Sequence, residues 1–205
     1  MTLPDTNPAT KSLSASPAPP RQSANPIANL ARIIGQAARF PGDAYGLGSG
    51  ERAALARMDP DAMRAHQVAA LSRALIQAEL EPENWMPETW RRWALIAHGM
   101  ALAGHNGKRT LGEQLFAALG DSKSAENRVT RLLTARGDAF RQLIPPLLRL
   151  LASREVAPNW HELGGLILSE GKPETESQER AEHIRMNIVG RYFSAQATKA
   201  KTDQH

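Results

Sequence analysis

The chain reads as all-α, a compact bundle of seven to nine helices, and three observations point there. Apolar residues recur at spacings of three and four, as in Trp90, Trp93, Ile96, Ala97 and Met100, which is the period of a helix with one buried face. Helix-start chemistry stands ahead of such stretches. Asn25 before Pro26 fits an N-cap and first helical position, and Thr110 with Glu113 fits a capping box. Nowhere in the 205 residues is there a β-branched run or an apolar–polar alternation of period two, so no strand is expected.

Taken in order, residues 1–24 are rich in Pro, Ser, Ala and Thr, with Leu3 and Leu13 as the only large aliphatic side chains besides Met1. Such a segment buries too little apolar surface to offset its chain entropy, and disorder is expected. One helical domain is expected over 25–198, followed by a flexible tail over 199–205. The first helix follows Asn25, with Ile27, Leu30, Ile33 and Ile34 on one face, and the glycines of "PGDAYGLGSG" end it. A second helical region starts near Glu51 and breaks near Asp59-Pro60, with Met63, Val68, Leu71 and Leu75 turned inward. "ELEPENWMPE" is a connector, and "PETWRRWALIAHGMALAGH" is the most apolar helix and the expected centre. "TLGEQLFAAL" and "NWHELGGLIL" each follow a cap, Thr110 with Glu113 and, more weakly, Asn159 with Glu162. "ENRVTRLLTARG" lies between them, and Pro145-Pro146 must kink or split "AFRQLIPPLLRLLAS". A last helix is expected over 178–196.

Composition removes several functions. The absence of cysteine excludes disulfides, thiolate metal sites and a cysteine nucleophile. The N-terminus has no basic segment leading into an apolar core, and no uncharged apolar run approaches a membrane span. A soluble, cytoplasmic protein with no membrane partner is expected. None of the six histidines belongs to an HExxH or similar pairing, and His98 and His105 are seven apart near a helix end. The pairs Glu79/Glu81 and Asp59/Asp61 flank prolines at helix boundaries, where acids favour the helix dipole or the solvent. "GLGSG" lacks the strand and lysine of a phosphate loop. Neither catalysis, a cofactor nor a metal is expected. Trp90 and Trp93 fit a core at helical spacing, while Trp85 and Trp160 lie beside connectors and fit either a core or a base-stacking surface.

Charge is more informative. Net charge is +4, yet residues 128–154 hold six arginines against one acid, and 174–182 hold four glutamates against one arginine. Local positive charge of this kind suits an anionic partner. Arg128 and Arg131 are three apart and share a helical face. With Lys108 and Arg109 they favour phosphate contact. Residues 107–140 also have the length of a helix-turn-helix, and "SAENR" offers Asn127 and Arg128 to bases without a further partner. A DNA-binding transcription regulator is therefore the alternative reading.

In order and spacing, "ETWRRWALIAHGMALAG", "GKRTLGEQLFAAL", "SAENRVTRLLTARGDAFRQLIPPLLRLL", "PNWHELGGLIL" and "RMNIVGRYF" resemble the CasB family, the small subunit of the type I-E CRISPR complex Cascade. The resemblance covers about 50–195 and is most specific in its TLG and ENRxxRLL pieces. It implies an all-helical, non-enzymatic subunit that acts in antiviral defence. Its implied partners are the crRNA-binding backbone subunits, the large subunit, a second copy of itself, crRNA and target DNA. It also implies that nucleic acid is held by its backbone and that the R-loop is stabilised. The matching basic positions are Arg109, Arg128 and Arg131, with Lys108, Arg136 and Arg141 extending the patch and Arg52, Arg57 and Arg64 forming a second surface. The proline-rich leader, and the lack of an aromatic cluster after "NWHELGGLIL", depart from the family pattern.

Overall fold

The computed structural model describes residues 25–37 and 47–203. The leader over 1–24, most of the glycine-rich loop and the last two residues of the tail lie outside the described residues. Among the described residues there are nine α-helices and no strand.

Helix α1 (Pro26–Gln36) begins as its cap dictates, the Ile27 N–H donating to Asn25 Oδ1 at 3.1 Å, and it buries Ile27, Leu30, Ile33 and Ile34. Helix α2 (Ser49–Ala56) starts two residues before Glu51 because that carboxylate works from the first turn, accepting the Gly48 N–H at 2.8 Å. The break at Asp59-Pro60 is real, and α3 (Ala65–Gln77) follows it. Its inner stripe is Gln67, Ala70, Leu71, Ala74 and Leu75, whereas Met63 and Val68 are only half-buried. The alanines let α3 lie close to its neighbours α1 and α2.

Helix α4 (Pro87–Ala103) is buried continuously from Trp93 to Ala101 and packs against α1, α2, α7 and α8. It is the central helix that its apolar sequence leads one to expect. Trp160 is fully buried and donates its indole N–H to Gly104 O at 2.7 Å, so it is core. Trp85 and Trp90 are half-buried, with Trp85 stacked on Trp93 at 5.7 Å.

Thr110 and Glu113 form the capping box of α5 (Leu111–Leu119), and Ser122 caps α6 (Lys123–Thr134). Helix α7 (Gly137–Ser153) runs through Pro145 and Pro146 without splitting. Asn159 caps α8 (Trp160–Ser169), but Glu162 does not turn back to it. Its carboxylate accepts the Leu111 N–H at 2.6 Å and so joins α8 to the start of α5. Helix α9 (Thr175–Thr202) is longer than the expected 178–196 and continues through most of the segment read as a flexible tail. Lys199 pairs there with Asp121 at 2.9 Å, which ties the last turns to the α5–α6 connection. One buried cluster takes side chains from all nine helices.

Candidate nucleic-acid interface

Histidines, the side chains most suited to catalysis, are held in the packing at two places. His98 is buried, with Nδ1 3.1 Å from Leu55 O. Burial pushes its pKa below the ordinary value, Arg149 adds to that, and the Leu55 hydrogen bond and Asp59 oppose it. His105 Nδ1 accepts the Trp160 N–H, and its ring stands edge-on to His161 at 5.1 Å. Its pKa too is lowered, first by burial and then by His161. Among the described residues no group of three His, Asp or Glu side chains is placed to hold a metal.

The basic residues fall into separate places. Lys108 and Arg109 are exposed in the loop before α5, which is fixed by Asn159 Nδ2 donating to Arg109 O at 3.0 Å and the Lys108 N–H donating to Asn106 Oδ1 at 3.0 Å. At the start of α5 the Leu111 N–H already donates to Glu162, and the Thr110 and Glu113 N–H groups are taken by the capping box, which places two carboxylates where an anion would approach. Any grip on phosphate there has to come from side chains. The Glu113 carboxyl is held below its ordinary pKa by hydrogen bonds with Thr110, and Arg191 and Arg109 add to the effect. Arg191, on α9, lies against Gly112 of α5 and near Glu113, a basic position that sequence reading did not single out. It lies inside "RMNIVGRYF", but only the crossing of α5 over α9 shows the proximity.

Arg128 and Arg131 are exposed on α6 beside Val129 and Leu132, which with Ala125 and Leu133 make up its buried face. Neither makes an ion pair among the described residues, and both flank a groove of about 350 Å³ between α5, α6 and α7. Among the described residues the groove is otherwise lined by Leu, Val and Pro side chains, with no acid.

Arg136 and Arg141 are placed differently. Arg136 donates to Leu133 O at 2.7 Å and Ala135 O at 3.1 Å, and pairs with Glu182 at 2.8 Å. It thereby closes the end of α6. Arg141 bridges Asp138 and Glu88, the latter at 3.1 Å, which links α7 to α4. Both guanidinium groups are already satisfied inside the fold.

On the second surface Arg52 is exposed on α2, while Arg57 and Arg64 line one depression with Asp59 and His66 around the α2–α3 turn. Arg149 of α7 meets the same turn from its other side, beside Arg57 and Pro145. Sequence reading counted Arg149 in the arginine-rich segment but did not place it here, because an α7 residue reaches α2 only through the tertiary fold.

A family model described as CRISPR-associated protein Cse2 matches residues 51–193. No curated protein and no solved structure matches the chain. No helix among the described residues is long and apolar enough to cross a membrane.

Proposed function

The chain belongs to the Cse2 family of CRISPR-associated proteins, the CasB small subunits of type I-E Cascade, and on that premise we propose that it holds nucleic acid by its phosphates, without reading sequence. Membership carries the role of a structural Cascade subunit in CRISPR defence. In the proposed role the chain sits against the crRNA-binding backbone subunits, the large subunit and a second copy of itself. Its basic residues then stabilise the loop formed when crRNA pairs with target DNA. Base pairing supplies the sequence specificity, so backbone contact by the protein is sufficient.

The observation that carries the reading is the pair Arg128 and Arg131, exposed one turn apart with no carboxylate in ion-pair reach among the described residues. Arg73, Arg92, Arg136, Arg141 and Arg185 are by contrast all paired with glutamate or aspartate. Lys108 and Arg109 extend the proposed surface, and Arg52, Arg57 and Arg64 form a second one. Arg136 and Arg141 add to its field while holding helix ends.

A base-reading use of α6 has less support. The first turn of α6 is where such a helix meets base edges, but Glu126 there is tied to Lys123 and to Gln196 of α9. The test is the triple variant Arg109→Gln, Arg128→Gln, Arg131→Gln in the full chain. It should weaken binding to unrelated DNA sequences alike and flatten the log–log salt dependence by about 0.7 to 0.9 for each phosphate no longer neutralised. A folded triple variant that binds as the parent does would remove these residues from the interface. A preference of roughly a thousandfold for one DNA sequence would favour a transcription regulator instead.

A further inference from the structure

Met86, just before α4, is the most exposed large apolar side chain among the described residues, at 72%. In the chain it stands between two half-buried indoles, Trp85 and Trp90, whose rings lie 6.0 Å apart at 66° to one another. The buried Trp93 backs Trp85, stacked on it at 5.7 Å, so the aromatic surface is already formed. Three exposed glutamates, Glu79, Glu81 and Glu83, precede it, and none of them makes an ion pair among the described residues. Arg91 and Arg92, the next cations along the chain, are paired with Glu88 and leave those glutamates uncompensated.

We propose that this face is the docking surface for the chain's own proline-rich segment, Pro17 to Arg21 of the leader. A polyproline II strand has no internal hydrogen bonds to break and is already extended, so it gives up little entropy when its rings lie on aromatic side chains. The sequence "PAPPR" sets three prolines beside a cation, and residues 6–24 hold Lys11 and Arg21 with no acid. That charge complements the glutamates ahead of Trp85. The groove between α5, α6 and α7 is apolar too, but its two arginines repel a basic strand, so charge selects the tryptophan face.

The segment also reaches. Asn25 Nδ2 lies 3.0 Å from His161 Nδ1, which fixes the start of α1 at the start of α8. A Cβ on Gly164 would lie 3.1 Å from Ile27 and 3.7 Å from Ile96, so the first turn of α1 stands beside the middle of α4. With a rise of about 1.5 Å per helical residue, Trp90 and Trp85 are then roughly 10–20 Å along α4 from Ile96. A polyproline II strand covers about 3.1 Å per residue, so running back from Asn25 it spans roughly 15 Å by Pro20 and 25 Å by Pro17.

Acrylamide quenching of tryptophan fluorescence in the full chain tests this, because Trp93 and Trp160 are buried and Trp85 and Trp90 supply most of the accessible signal. A short tether holds its end at millimolar effective concentration, so a contact of millimolar strength is closed about half of the time, and opening it should raise quenching up to about twofold. Pro17→Ser with Pro19→Ser and Pro20→Ser should give that rise. Arg21→Glu should give part of it, and so should Glu81→Arg with Glu83→Arg, while the two sets combined should bring quenching back toward the parent value. Circular dichroism checks that each variant is folded. Equal quenching in the parent and the proline variant overturns the inference and leaves the face open to another subunit. A rise without recovery on charge exchange also overturns it, since the leader then lies away from the glutamates. Protection that grows with protein concentration overturns it in favour of a leader from a second copy. None of these outcomes bears on the phosphate reading, because no variant alters α6 or the loop before α5.

Discussion

A Cβ on Gly112 would overlap Ile188 O and lie 2.6 Å from the Cβ of Arg191 and 2.7 Å from the Tyr192 amide nitrogen. Two of these three atoms are backbone and cannot swing aside, so this glycine sets how closely α5 crosses α9. Gly112→Ala should lower unfolding free energy by about 2 kcal/mol, an overpacking penalty reduced by the better helix propensity of alanine. Urea denaturation would show it, and an unchanged midpoint would mean that the crossing can loosen at no cost. The arginines differ on the same scale. Arg136→Gln removes hydrogen bonds to two carbonyls and a partly exposed ion pair, so it should cost about 1 kcal/mol of stability and leave the salt dependence of DNA binding nearly intact. Arg128→Gln should do the reverse. Thermal melts and salt titrations on both variants distinguish a residue that holds the fold from one that faces a ligand. Both arginines look alike in the sequence, because their carboxylate partners, or the lack of them, arrive from distant segments.

At the level of elements, the elbow between α6 and α7 is held by a buried charge pair. Arg185 of α9 is paired with Glu170, which follows α8, and also donates to Ala135 O. Glu170 in turn accepts the Gly137 N–H at 2.7 Å, where α7 starts, and the Arg185 guanidinium lies over the Phe140 ring. Four helices therefore meet at one ion pair. Arg185→Met would leave the Glu170 carboxylate buried without its partner, a loss of about 3–5 kcal/mol. Adding Glu170→Met should recover part of that, since no lone charge then remains. Equal stability of the single and double variants would show that Glu170 finds another partner. Sequence pattern identified the helices that meet here but not their meeting point. The apolar period reports which face of α9 is buried, whereas Arg185 sits on that face as a charge held by Glu170, Glu182 and Ala135.

The whole molecule combines a core drawn from all nine helices with unevenly placed charge. His98 and His105 both belong to that packing, and burial is the first cause of each lowered pKa. Their neutral forms are favoured in the folded state, while the unfolded chain protonates them near the ordinary value of about 6.5. Stability is thus fully present above that value and is lost as pH falls from there through the lower folded pKa. A thermal midpoint that drops between about pH 7.5 and 5.5, on either side of that value, and drops less in His98→Asn, is the expected result. The acidic groups act in a separate, lower window. Glu113 has its pKa lowered by Thr110, so its contribution is kept above the ordinary carboxylate range and lost only in stronger acid.

Fold class, helix caps and the break at Asp59-Pro60 were legible in the sequence because each depends on residues within a turn or two of one another. Caps and helical periods are local in the chain, and Asn25, Thr110 and the stripe from Trp93 to Met100 act where they stand. The extension of α9 through Thr202, the use of Glu162 on α5 instead of its own helix, and the burial of Trp160 were decided by contacts between distant segments. The same holds for the basic residues. Their clustering along the chain was visible in the sequence, but whether an arginine meets a carboxylate or solvent was settled by the tertiary structure, since an ion pair depends on separation in space and not along the chain.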